Sequence, residues 1–209
     1  MRRQIPNALT VGRLILSVIF FLMLALYDYD PDRISWFLFT AGWVYGVAAA
    51  TDWVDGYLAR KWQVVSVFGR IVDPFVDKIL ILGTFAFLAG RNFSTFEDGQ
   101  IVPLTGISPV VVVLLIAREL LVTTLRGVFE GGGRDFSADW SGKAKMIVQS
   151  VAVPVVLVYV IFLPVLGNWE FRLRIVRDVF VWGTVLVTLG SGLTYVRKAI
   201  AYAKEDARA

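Results

Sequence analysis

The chain predicts an all-α polytopic membrane protein with six transmembrane helices, a short amphipathic N-terminal segment and both termini in the cytoplasm. Three observations carry this. Of 209 residues, 57% are hydrophobic and only 18% charged, against roughly a quarter charged in a water-soluble domain. The apolar residues fall into blocks long enough for the ~20 residues of helix that cross a bilayer. Lysine and arginine gather at the ends of those blocks and are divided unequally between the two sides.

The first block runs from Thr10 to Tyr27, after a basic start (Arg2, Arg3, Ile5, Pro6, Asn7) that reads as an interfacial turn. No small-residue cleavage site follows it, so it is not expected to be a cleavable signal. The second block runs from Ser35 to Arg60, the third from Gly69 to Ala89, and the fourth from Pro109 to Phe129. The fifth spans Lys143 to Leu166 and the sixth Val176 to Tyr202. Together they make one membrane domain over residues 1–209, with no soluble domain attached. In the second block Gly42, Gly46 and Ala50 recur every fourth residue, a spacing that lets a neighbouring helix approach.

With the N-terminus inside, the cytoplasmic side holds Arg2, Arg3, Arg60, Lys61, Arg70, Arg126, Arg134, Lys143, Lys145, Arg197, Lys198, Lys204 and Arg208. The far side holds Arg33, Arg91, Arg172, Arg174 and Arg177. The positive-inside rule supports that orientation, with the last three arginines as its anomaly. The net charge of +4 is thereby accounted for by topology and anionic lipid, and no nucleic-acid partner is expected. The chain has no cysteine and no histidine. Disulfides, thiolate chemistry, the commonest general base and the usual zinc ligands are all excluded.

Acid–base or metal chemistry must therefore come mainly from carboxylates. The second block ends with Asp52 and Asp55, three apart; the third begins with Asp73 and Asp77, four apart. Asp52 and Asp55 share a helix face, and Asp73 and Asp77 do the same if the helix runs through them. Pro74 disfavours a helix running through it, so Asp73 is expected near a helix start. Four carboxylates at one membrane depth repel unless compensated, and hard cations with oxygen ligands, Mg²⁺ or Mn²⁺, are the compensation such a set fits. Gly56 and Ala59 leave a groove one turn from the aspartates, and Arg60 stands at the membrane edge to meet phosphate. A carboxylate-lined ion or proton transporter is the competing class. Against it, the charges lie towards one membrane face, and no broken-helix repeat is visible.

Asp52-x-x-Asp55-Gly56-x-x-Ala59-Arg60, then eight residues, then Gly69-x-x-x-Asp73-x-x-x-Asp77 resembles the signature of the CDP-alcohol phosphatidyltransferases. The resemblance implies two divalent ions, Mg²⁺ or Mn²⁺, held by Asp52, Asp55, Asp73 and Asp77 against the pyrophosphate of CDP-diacylglycerol. It implies Asp77 as the catalytic base on the acceptor hydroxyl, with CMP as the leaving group. Crowding by like charge makes a carboxylate a stronger proton acceptor, in keeping with that role. Asn7, Thr10, Gly56, Ala59, Arg60 and Gly69 would bind CDP-diacylglycerol. The family also implies membrane lipids as partners, a homodimer, and a bacterial inner membrane with the active site facing the cytoplasm.

The segment Ile5-Pro6-Asn7-Ala8-Leu9-Thr10 with Arg13 is similar to the branch of that family that makes phosphatidylglycerophosphate from sn-glycerol 3-phosphate. So are Asp73-Pro74-x-x-Asp77-Lys78, Ala117-Arg118-Glu119 with Leu125-Arg126, and Ser141-Gly142-Lys143-Ala144-Lys145 with Gln149. Arg118, Arg126, Lys143 and Lys145 form the expected pocket for the acceptor phosphate. For Arg118, an internal salt bridge to Glu119 is the alternative reading. Ser17, Met146, the longer polar stretch 91–108 and Gly131-Gly132-Gly133 depart from the branch's pattern. Inositol phosphate and phosphatidylglycerol stay open as acceptors.

Overall fold

The computed structural model describes residues 4–206 apart from 63–66, 98, 135 and 137–139. The side chains of 4–7, 52, 53, 55, 57–60, 67–71, 97, 141, 143 and 206 also fall outside the description. Among the described residues are six long helices: α1 (Gln4–Leu26), α2 (Trp36–Trp62), α3 (Val67–Leu88), α4 (Pro109–Gly131), α5 (Trp140–Phe162) and α6 (Glu170–Asp206). Each falls on a predicted block. Short 3₁₀ turns occupy Arg91–Phe93, Leu163–Val165 and Gly167–Trp169.

Among the described residues, three apolar stretches are long and apolar enough to cross a membrane: Ala8–Leu26, Ala144–Val165 and Gly167–Glu205. The protein is an integral membrane protein. The sequences of α2, α3 and α4 carry the predicted carboxylates and Arg118.

α1 packs on both α2 and α3, and α5 packs on α2 and α6. One buried stripe on α1 follows the helical period through Thr10, Arg13, Ser17, Phe20 and Leu24. Its first half is polar and its second apolar, so one face serves a polar site at one end and a greasy core at the other. The apolar end meets Leu38, Ala41, Tyr45, Leu80, Phe85 and Leu88. In lipid, helix association rests on close contact more than on water expulsion. Gly83 provides such a contact: a Cβ there would lie 2.6 Å from the Phe21 ring.

Three expectations change. α3 runs through Pro74 without a break, beginning at Val67. A proline removes one intrahelical hydrogen bond, which neighbouring helices and local adjustment offset in membrane helices. Gly42 and Gly46 meet no other atoms within 4 Å of an added Cβ, and Gly46 and Ala50 are exposed; the packed face of α2 is instead Leu38, Ala41, Tyr45 and Ala48.

The third change lies between α3 and α4, where two antiparallel strands, β1 (Ser94–Glu97) and β2 (Gln100–Pro103), add a hairpin to the expected all-helical chain. The turn carries Gly99 at φ +79°, a conformation glycine adopts without strain. Phe93 buries against Tyr27, ring centroids 4.8 Å apart, and Asn92 Nδ2 donates to the Ala25 carbonyl at 2.7 Å.

The same region explains the arginine anomaly. Arg177 is buried, donates to the Leu104 carbonyl just after the hairpin, bonds Asp178 Oδ1 and sits 4.6 Å from the Tyr159 ring centroid. Gly106, at φ +69°, lets the chain pass there, since a Cβ would lie 3.1 Å from Arg177 Nε. Arg172 stacks over Trp169 at 4.9 Å, and Arg174 Nε lies 3.6 Å from Glu170. These arginines have local partners in the fold.

Candidate active site

Continuity of α3 puts Asp73 and Asp77 one turn apart on one face. α1 answers with residues three apart. Thr10 Oγ1 donates to Asp73 Oδ1 at 2.6 Å, and Arg13 Nη1 donates to Asp77 Oδ1 at 2.6 Å. Arg13 is fully buried, whereas the Asp77 side chain is 30% exposed. Ser17 Oγ bonds back to the Arg13 carbonyl. Asp77 is thus not surrounded by like charge alone: a buried guanidinium orients it.

Both aspartates line a cavity of about 210 Å³ whose other lining residues include Lys78, Glu119, Lys145 and Gln149. In the same lining, Glu119 gathers cations from three helices. Lys145 Nζ on α5 lies 2.5 Å away, Arg118 Nη1 on α4 3.1 Å and Lys78 Nζ on α3 3.5 Å. Lys78 Nζ also donates to Thr123 Oγ1 at 2.8 Å. Arg118 reaches back into the bundle, donating to Ser191 Oγ at 2.9 Å and lying 5.7 Å from the Tyr195 ring centroid. Gln149 Nε2 bonds Thr188 Oγ1 at 3.3 Å. Three cations around one carboxylate make this cluster a net positive wall. Carboxylates and ammonium groups thus line one small cavity, which suits a ligand bearing both a hydroxyl and an anion.

The predicted residues fall as follows. Asp73, Asp77 and Lys145 are brought together in the cavity. Thr10, read as a contact for the nucleotide lipid, is buried and gives its hydroxyl to Asp73. Arg118 is buried behind the cavity, in the salt bridge to Glu119 that was its alternative reading. Arg126 is half-exposed on α4 and pairs with Glu130 at 2.9 Å, and it is not among the described residues that line the cavity. Gly56 is half-buried on α2. The side chains of Asn7, Asp52, Asp55, Ala59, Arg60 and Lys143, and Gly69, lie outside the described residues. Among the described residues no group of three or more acidic, His or Cys side chains is gathered; the described members of the predicted metal set are Asp73 and Asp77.

Sequence reasoning passed over Lys78 and the joining role of Glu119. A signal existed for the second: a lone acidic residue inside an apolar run demands a partner, and several basic residues were within reach.

The profile of the family described as CDP-alcohol phosphatidyltransferase matches residues 3–190. A relative from Bacillus subtilis (strain 168), CDP-diacylglycerol–glycerol-3-phosphate 3-phosphatidyltransferase, is 31% identical over 203 residues, covering 93% of this chain and 94% of its own length. The protein of the same name from Escherichia coli (strain K12) is 34% identical over 155 residues, 73% of this chain and 76% of its own.

Proposed function

The chain belongs to the CDP-alcohol phosphatidyltransferase family, and from that premise we propose that it transfers the phosphatidyl group of CDP-diacylglycerol to sn-glycerol 3-phosphate, giving phosphatidylglycerophosphate and CMP. Glycerol 3-phosphate is the acceptor in the names of both relatives. The observation that carries the reading is the cavity that Asp73 and Asp77 line together with Lys78 and Lys145. An acceptor with a hydroxyl and a phosphate monoester matches both kinds of group.

Asp77, held by Arg13, accepts the proton of the acceptor hydroxyl. The freed oxygen attacks the β-phosphorus of the nucleotide lipid; the new phosphorus–oxygen bond forms as the bond to the CMP phosphate breaks. Asn7, Gly56, Ala59, Arg60 and Gly69 are assigned to CDP-diacylglycerol on the strength of the family signature. Thr10 works through Asp73, whose orientation it fixes.

The donor set fits a hard divalent cation: it is all carboxylate, in a chain without histidine or cysteine, and Thr10 and Arg13 orient two of its members as outer-shell partners do. Asp52, Asp55, Asp73 and Asp77 would hold a pair of Mg²⁺ or Mn²⁺ ions. When bound, such ions polarise phosphoryl oxygens and neutralise charge on the leaving phosphate. The same proposal has six crossings of a bacterial inner membrane with the termini and the cavity on the cytoplasmic side, where soluble glycerol 3-phosphate would reach the site; the excess of Lys and Arg on that side supports it.

The test is CMP release by the purified protein in detergent, with CDP-diacylglycerol and a panel of acceptors. Release with glycerol 3-phosphate is expected. Faster release with inositol phosphate or phosphatidylglycerol would reassign the acceptor, and no release with any would return the carboxylates to the transporter reading.

A further inference from the structure

The cationic wall is not the pocket that the basic residues alone suggested. Arg118 is 7% exposed and turned towards Ser191, and Arg126 is engaged with Glu130. The ammonium groups that line the cavity with Asp77 are Lys78 and Lys145. They arrive from different helices and meet at one carboxylate, Glu119, which also holds Arg118. We infer that Lys78, the residue next to the proton acceptor, is a direct ligand of the acceptor's phosphate together with Lys145, and that Glu119 is the positioning residue that sets these two ammonium groups at one phosphate's width. This rests on the reading of the cavity as an acceptor site and deepens it.

The physical argument is one of repulsion and reach. Three cations converging from three helices repel one another unless an anion lies among them. Glu119 is that anion, and the Lys78 contact at 3.5 Å is the loosest of the three. Lys78 is also the most exposed of the cations, 39% against 10% for Lys145 and 6% for Arg118, so it can turn to an entering phosphate while its neighbours stay fixed. Arg118 acts from behind, keeping Glu119 in place through its own anchor on α6. Lys78 and Lys145 against Glu119 leave a positive charge in this part of the cavity lining, to which a phosphate monoester, an anion at neutral pH, is drawn. A neutral alcohol leaves that charge unanswered. Asp77 and Lys78 are consecutive on one rigid helix, so proton acceptor and phosphate ligand are held at a fixed separation.

The experiment uses the full-length protein in detergent, with Lys78→Gln, Glu119→Gln and Glu119→Asp. It measures KM for glycerol 3-phosphate, KM for CDP-diacylglycerol, kcat, and inhibition by inorganic phosphate as a probe of the wall alone. Lys78→Gln is expected to raise the acceptor KM and the phosphate inhibition constant about ten- to a hundredfold, the worth of a charged hydrogen bond. KM for CDP-diacylglycerol should stay within about twofold. Glu119→Gln should raise the same two constants, and Glu119→Asp, which keeps the charge but shortens the reach, should recover part of the loss. If Glu119 merely competed with the phosphate, Glu119→Gln would tighten phosphate inhibition, and that result overturns its positioning role. Unchanged constants in Lys78→Gln, whose half-exposed side chain makes misfolding a poor explanation, overturn the assignment of Lys78. Both failures differ from failure of the proposed function, in which the unaltered protein itself would release no CMP with glycerol 3-phosphate.

Discussion

Replacing Arg13 by glutamine tests whether the buried guanidinium acts through Asp77. Arg13 is fully buried and donates to Asp77 at 2.6 Å; Asp77 is 30% exposed on its cavity side. Breaking a buried ion pair by removing one partner costs about 3–5 kcal/mol. Water in the cavity can reach Asp77, which puts the expected loss at the lower end, about 3 kcal/mol. If that energy holds Asp77 in the orientation that takes the hydroxyl proton, then at about 1.36 kcal/mol per tenfold the chemical step slows roughly a hundredfold. Asp77→Asn alone should slow it by about 10²–10⁴, the range for a lost general base. The decisive measurement is the double variant. With the Asp77 carboxylate gone, the part of the Arg13→Gln loss that acts through it should vanish, so the double variant should lose less than the sum of the two single losses. The assay is single-turnover CMP release at saturating substrates, with thermal melting in detergent to confirm that each variant is folded. Losses that simply add would refute the argument and make Arg13 a packing residue with no link to the base.

Other outcomes follow from the same geometry. Activity should disappear in excess chelator and return with Mg²⁺ or Mn²⁺; full turnover in chelator would reject the carboxylate set as a metal site. Arg126→Ala should change acceptor KM and kcat less than about twofold, because an exposed pair one helical turn apart is worth only about 0.3–0.5 kcal/mol; a tenfold rise in KM would put Arg126 back in the pocket. Arg177→Met should cost about 1.5–3 kcal/mol of stability through the lost bond to the Leu104 carbonyl, seen as a lower melting temperature with the rate of CMP release unchanged.

The helices and the Asp73–Asp77 face were legible in the sequence because both depend on local period. A carboxylate four residues from another shares its face wherever the helix goes. The continuity of α3 through Pro74 was not legible, since the cost of the missing hydrogen bond is offset by neighbours that a local reading does not contain. The hairpin was hidden for a different reason: each strand is only four residues long, and three of the four residues of Ser94–Glu97 are polar, so it reads as loop. The face of α2 that would pack was also undetermined. Small residues at Gly42, Gly46 and Ala50 permit close approach but do not supply the neighbour, and the packed face is one with Leu38 and Tyr45. The Arg126–Glu130 pair was readable at four-residue spacing. The meeting of Lys78, Arg118 and Lys145 on Glu119 was not, because it joins residues up to 67 positions apart on three helices.

What unites the site is that its charges are also its cross-links. Thr10 and Arg13 fasten α1 to α3; Glu119 fastens α4 to both α3 and α5; Arg118 fastens α4 to α6. Among apolar helices in lipid, ionised groups persist only when paired, so each such cross-link is also a constraint on where a charge can stand. The cavity between them receives its shape from the same bonds that hold the bundle closed at that end. The main apolar core, from Phe20 and Leu24 to Phe93 and Ile107, meets no such demand. This division explains why one buried stripe on α1 changes from Thr10, Arg13 and Ser17 to Phe20 and Leu24 within four turns. The polar half fixes reacting groups in place, and the apolar half keeps the helix that carries them from moving.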